Sequence, residues 1–204
     1  MNAIEKKTRE FIHKYLQVSE KDEATIVEYA LKTWQPLEDR LKYLHFIGGV
    51  ASGKTRSGHV MEAICKNAFR ISGVATKMAL LVKMDMDHPV LIIDEANLLF
   101  SDDNEEMMNI FSKILKYGAS KSQQIIKIME APDEKLYSIP FNVFGHKVLI
   151  SRERFHDNAI ESRCILIKLK PNTRTDIPLN LGRDFLKEKN EIQSLLENYF
   201  GETK

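Results

Sequence analysis

Tyr43-Leu44-His45-Phe46-Ile47-Gly48-Gly49-Val50-Ala51-Ser52-Gly53-Lys54-Thr55 is the most informative stretch of the chain. Its first five residues read as a short buried strand, and Gly48 to Thr55 fits G-x-x-x-x-G-K-[ST] at every fixed position. Thr55-Arg56-Ser57 then opens a helix whose first backbone amides point at whatever the loop encloses, which suits an anion. Gly48 and Gly53 allow conformations and a close approach that a Cβ would obstruct. Lys54 sets a compact positive charge against the outer phosphates, and the Thr55 hydroxyl is a ligand for Mg2+. The expected nucleotide cradle therefore runs through Gly48, Gly49, Val50, Ala51, Ser52, Gly53, Lys54, Thr55 and Arg56. With only 9 glycines in 204 residues, a chance match to this spacing is uncommon.

A second run, Pro89-Val90-Leu91-Ile92-Ile93-Asp94-Glu95, is rich in β-branched residues and ends in two adjacent carboxylates. It reads as a buried parallel strand. The carboxyl end of such a strand reaches the same rim of a sheet as the glycine-bearing loop. Asp94 is placed to bind the Mg2+ shell and Glu95 to polarise an attacking water. Taken alone, the pair would also suit the start of a helix through Ala96 and Leu98, with Asp94 as its cap. Between Thr55 and Pro89 the pattern leaves room for a helix through Val60 and Ile64, a strand around Phe69 to Ser72, and a helical stretch from Ala75 to Met84. The strand bearing Asp94 is thus not the next one after the loop.

Composition bounds the rest. A chain of 204 residues, 43% hydrophobic and 29% charged, accommodates one substantial α/β domain with a small appendage. No long apolar run or charged-then-apolar leader appears, so neither a membrane span nor a secretory signal is expected, and a cytoplasmic location is. Cys65 and Cys164 lie far apart without metal-ligand spacing and read as core residues. A net charge of +1 argues against a globally basic nucleic-acid binder while leaving room for a local basic patch.

Along the chain, Ile4, Phe11, Ile12, Tyr15 and Leu16 share a helical face, and Ser19 caps a second helix through Ile26, Val27, Ala30 and Leu31. Trp34 reads as a packing residue, with base stacking as the other option. Leu98 to Tyr117 reads as a helix ended by Gly118. Gln124 to Met129 and Leu136 to Pro140 flank an acidic turn and predict a hairpin. Lys147 to Ser151 and Cys164 to Leu169 are further strands, and Phe185, Ile192, Leu195, Leu196 and Tyr199 mark a closing helix. The expected organisation is a helical segment over 1–40, a core over 41–171 and a short helical segment over 172–204.

From Tyr43 to Pro171 the chain resembles the AAA+ P-loop ATPases, and more narrowly the helicase-like replication modules of viruses, plasmids and mobile elements. The likeness rests on the loop, on Leu91 to Ala96, on Leu115-Lys116-Tyr117-Gly118, on Phe144-Gly145-His146-Lys147, and on Asp157 to Cys164. It implies a three-layer α/β fold with a parallel core sheet of order 5-1-4-3-2, preceded by the N-terminal helices and followed by a reduced helical lid. It also implies ATP and Mg2+ as cofactors, a homo-oligomeric ring such as a hexamer, local contact with DNA, and a replication protein as a further partner. Ser151 takes the place of the residue that senses the γ-phosphate. Ser162-Arg163-Cys164 is similar to the tripeptide in which clamp loaders carry an arginine offered to the neighbouring subunit's nucleotide, with Arg152 and Arg154 as competitors for that role. Arg183, on the closing helix, is a candidate to substitute for a lid arginine.

Two functions follow from these expectations. In one, Glu95 drives hydrolysis in a motor whose hairpin presents Lys127 and Lys135 to DNA phosphates. In the other, the chain is a regulatory or loading ATPase whose nucleotide state controls assembly with a protein partner, which the short lid and near-zero charge favour.

Overall fold

The computed structural model describes residues 2–71, 76–94, 96, 105–130 and 135–201, with 105–108 as backbone only. Five strands, β1 (Tyr43–Ile47), β2 (Ala68–Ile71), β3 (Val90–Ile93), β6 (Lys147–Ser151) and β7 (Cys164–Lys168), form one sheet in which every pairing is parallel. Their order is β2-β3-β6-β1-β7. The numerals differ from 5-1-4-3-2 because β4 (Ile125–Glu130) and β5 (Leu136–Phe141) pair only with each other, as the expected antiparallel hairpin. The intervening strand after the loop is β2, at the sheet edge, so β3 and β1 are separated by β6.

Apolar side chains alternate between the two faces, as strand geometry requires. Leu44, Phe46, Ile92, Val148 and Ile150 face a layer built by α1 (Ala3–Tyr15), α2 (Glu20–Lys32), α3 (Lys54–Ile64) and α7 (Arg183–Gly201). Tyr43, Leu91, Ile93 and Leu149 face the other layer, built by α4 (Lys77–Asp87), α5 (Glu105–Tyr117) and α6 (Asn158–Glu161) with the base of the hairpin. Both faces are covered, which is why the strands read as near-continuous apolar runs. Helix ends follow local chemistry. Asn2 and Glu5 form a reciprocal capping box on α1, and the hydroxyls of Ser19 and Thr76 cap α2 and α4. The expected helix from Leu98 is described only from Glu105, and residues 97–104 lie outside the described residues. Trp34 is a packing residue here: its indole N–H donates to the Ile64 carbonyl at 2.9 Å and its ring stacks on Phe200. Cys65 is buried, as expected, whereas Cys164 is only half-buried.

The start of β6 is pinned by buried polar contacts. The Tyr29 hydroxyl donates to the Lys147 carbonyl at 2.7 Å and accepts from the Lys147 amide at 3.1 Å. The Lys147 ammonium donates to the carbonyls of Val143, Gly145 and Gly118, and lies 5.0 Å from the centre of the Tyr43 ring. Burial pulls its pKa down to about 7, while the three carbonyls and the ring favour its charged form. Beside it, burial and then the ammonium groups of Lys147 and Lys32 hold the His146 pKa down to about 4. Since the folded value lies below the unfolded one, the stability His146 contributes is complete above pH 6.5 and disappears as pH falls toward 4. Acidification from pH 7 to pH 5 should therefore cost about 2 kcal/mol at this residue alone. Urea midpoints at the two pH values should show the loss, and His146→Gln should shrink it; an unchanged pH response in the variant would acquit the histidine.

Candidate phosphate-binding rim

The loop between β1 and α3 leaves the sheet between β6 and β7. The Gly48 amide donates to the Ser151 carbonyl at 3.3 Å, and the Leu169 amide to the Ile47 carbonyl at 2.7 Å. A Cβ on Gly48 would stand 2.9 Å from Ser52 Cβ and 3.0 Å from the Leu169 carbonyl oxygen, so a residue without a side chain lets the loop close on itself there. Gly53 adopts φ +85, a left-handed conformation that favours glycine, and turns the chain into α3. No side chain caps α3, so its first amides face outward at the loop. Ser52 Oγ donates to the Gly49 carbonyl, and Lys54 Nζ donates to the carbonyls of Gly48 and Gly49, folding the ammonium over the loop's own backbone. Val50 is 81% exposed and Thr55 is exposed, both at the mouth of the loop.

Arg56 turns the other way. Its guanidinium donates to the carbonyls of Pro178 and Leu179, and burial lowers its pKa. The same segment is fastened to the end of α1, where Gln17 Oε1 accepts from the amides of Thr173 and Arg174 at 2.8 and 3.0 Å. Between them lies a cleft of about 200 Å3 that opens beside Ala51, Ser52 and Gly53 and is walled by Leu16, Gln17, Asn172 and Pro178. Sequence reading missed this wall, because its residues follow no motif and are joined to the loop only through long-range packing.

Asp94 follows β3 on the same rim. Its amide donates to the Ile71 carbonyl at 3.0 Å, and the Ala96 amide donates to the Ile150 carbonyl at 2.7 Å. The loop and the acidic strand end thus engage successive residues of β6, Ser151 and Ile150. Asp94 is buried, and its carboxylate lies 3.6 Å from Arg70 on β2. Arg70 also donates to Glu62, which accepts from Lys189 of α7 at 3.0 Å. Arg70 interrupts the apolar pattern of β2, and that interruption was the available signal for this partner. Glu95 lies outside the described residues.

Ser151 is buried. Its hydroxyl donates to the Glu153 carbonyl and lies 2.7 Å from Nε2 of His45 on β1. Since Ser151 spends its one hydrogen on Glu153, His45 Nε2 must be the donor between them, leaving His45 Nδ1 as a bare lone pair. Burial, and then the charge of Arg154, lower the His45 pKa to about 4.

Arg163 is at the opposite end of the sheet. The Tyr43 amide at the start of β1 donates to the Arg163 carbonyl at 2.8 Å, whereas the loop follows the end of β1. The Arg163 guanidinium donates to the Ala159 carbonyl of α6. Arg154 lies 3.5 Å from Glu161, and Arg152 is exposed. The structure therefore brings Ser151, Asp94 and the loop to one rim and puts Arg163 at the other.

No protein-family model matches the chain, and no curated protein matches it. Among solved structures, the chain is similar to a JCV helicase with a bound thiazolopyridine acetamide, at TM-score 0.49 and 14% identity over 97% of this chain and 63% of that one. It is likewise similar to an inhibitor-bound JCV helicase, at TM-score 0.47 and 15% identity over 97% of this chain and 50% of that one. The chain thus spans less than two thirds of either helicase chain.

Proposed function

We propose that the chain is a Mg2+-dependent ATPase of AAA+ type that works as a homo-oligomer, coupling hydrolysis to helicase-like remodelling of DNA in replication of a mobile element or virus. One observation carries this reading: an uncapped helix N-terminus behind a G-x-x-x-x-G-K-T loop shares the carboxyl rim of a parallel sheet with Asp94. The sheet order supports the AAA+ assignment. Setting the hairpin strands aside, the five parallel strands count 2-3-4-1-5, which from the other edge reads 5-1-4-3-2.

The residues suit the cofactors. Backbone amides from Gly49 to Arg56 would receive the phosphates, with Lys54 exchanging its loop carbonyls for phosphate oxygens. Thr55 and Asp94 would hold the Mg2+, which spreads the charge of the outer phosphates when bound. Glu95 would take the proton of the attacking water. Ser151 would address the γ-phosphate from the adjoining strand end, and the cleft beside Gln17 and Pro178 would seat the base. Arg163, at the far rim, would serve the nucleotide of a neighbouring subunit rather than its own, and turnover would then depend on a ring such as a hexamer.

The loader reading draws support from α7, which is committed to packing on α1 and α3 through Phe185, Ile192 and Leu196. The motor reading draws support from the hairpin, whose Lys127 and Lys135 would meet DNA phosphates, although its outward residues Ile126, Ile128 and Leu136 are apolar. Among the described residues, no helix is long and apolar enough to cross a membrane.

Phosphate release from ATP tests the proposal. Turnover should require Mg2+ and stop with chelator. For a motor, DNA at low salt should raise the rate and added salt should remove the gain. Stimulation by a protein partner but not by DNA would select the loader reading, and the absence of Mg2+-dependent turnover under all conditions would refute both.

A further inference from the structure

His45 Nδ1 is a buried nitrogen without a hydrogen-bond partner. The residue is 0% exposed, and with Nε2 bound to Ser151 the unsatisfied lone pair is fixed in direction. A carboxylate is near: Glu161 Oε2 lies 3.9 Å from Nδ1. A buried, unsatisfied lone pair this close to a carboxylate is unfavourable unless a cation joins the two. The third group is the Cys164 thiol, and the three ligand atoms lie within 4.8 Å of one another. They come from β1, the end of α6 and the start of β7, and Phe155 stacks on the imidazole at 4.6 Å.

We infer that His45 Nδ1, Glu161 and Cys164 form a binding site for a divalent transition metal, Zn2+ in kind, that shares no ligand with the phosphate rim and adjoins it through Ser151. The donor set is imidazole, carboxylate and thiolate, which together select Zn2+ over Mg2+. Charges balance when the ion binds: Cys164 gives its proton, now donated to the Ile160 carbonyl, to solvent, and two anions then neutralise the divalent ion. Shifts of about 1 Å bring the three atoms to the separations of a tetrahedral site, whose fourth position is left to water. The outer contacts are already in place. Ser151 fixes the imidazole tautomer, the Phe155 amide donates to Glu161 Oε2 at 3.4 Å, and Arg154 lies against the other carboxylate oxygen. A proton on Nδ1 would join two of these groups; a metal joins all three. The ion would clamp the segment that carries Arg163 to the strand that supports Ser151.

Co2+ titration of the metal-free full chain, without nucleotide, tests this by the thiolate-to-cobalt charge-transfer band. The band should saturate at one ion per chain, disappear in Cys164→Ser and persist in Cys65→Ser, the other cysteine of the chain. Glu161→Gln should weaken Co2+ binding about tenfold or more. Zn2+ should displace the cobalt and raise the melting temperature of the wild type but not of Cys164→Ser. The band should also survive Lys54→Ala, since oxygen ligands at the phosphate rim give no thiolate transition; its survival there would keep the site intact even if the ATPase reading failed. No band at saturating Co2+, or a band retained in Cys164→Ser, overturns the site.

Discussion

Lys54→Ala is expected to weaken binding of Mg2+·ATP by about 10² to 10⁴-fold and to bring turnover to background. In the resting loop Nζ donates to the carbonyls of Gly48 and Gly49, contacts that leave the ammonium poised over the cradle. With nucleotide it exchanges them for outer phosphate oxygens, and charge-assisted contacts of that kind contribute about 1.5–3 kcal/mol each. Two such contacts correspond to the stated loss in affinity. The variant's fold should survive, because the side chain is only half-buried and the core beneath rests on Leu44, Phe46 and Val60. Calorimetric titration with a non-hydrolysable analogue, alongside a melting curve, separates loss of the site from loss of the fold. Near-wild-type affinity would remove Lys54 from the phosphates.

Glu95→Gln is expected to do the reverse: binding within a few-fold of wild type, with hydrolysis slowed by about 10² to 10⁴-fold, the usual worth of a general base. The amide keeps the shape of the side chain and loses the basicity that takes a proton from water. The neighbour Asp94 remains for the metal. The variant should therefore accumulate with ATP bound, readable as unhydrolysed nucleotide that stays with the protein through a desalting column. Equal losses of binding in Lys54→Ala and Glu95→Gln would contradict the division between cradle and base.

Where local chemistry spoke, the sequence was readable. β1 and the loop followed from Tyr43 to Thr55, the hairpin from two β-rich runs around a turn, and the α2 start from Ser19, whose hydroxyl does cap the helix. Contacts across the sheet were not readable. His45 lies within a run that reads simply as a buried strand, and its bond to Ser151 depends on two parallel strands brought side by side from distant parts of the chain. Arg56 looked like part of the cradle by position, yet it holds the carbonyls of Pro178 and Leu179, a wall the chain supplies from beyond β7. Arg70 reached Asp94 for the same reason, by strand adjacency that no spacing announces.

A crystal structure of the protein with Mg2+ and a non-hydrolysable ATP analogue tests the shared-site claim most directly. Lys54 Nζ should lie on the outer phosphates, and one Mg2+ should be touched by Thr55 Oγ1, with Asp94 in its shell. Nucleotide bound away from the loop, or a Mg2+ with no contact to either Thr55 or Asp94, would contradict it.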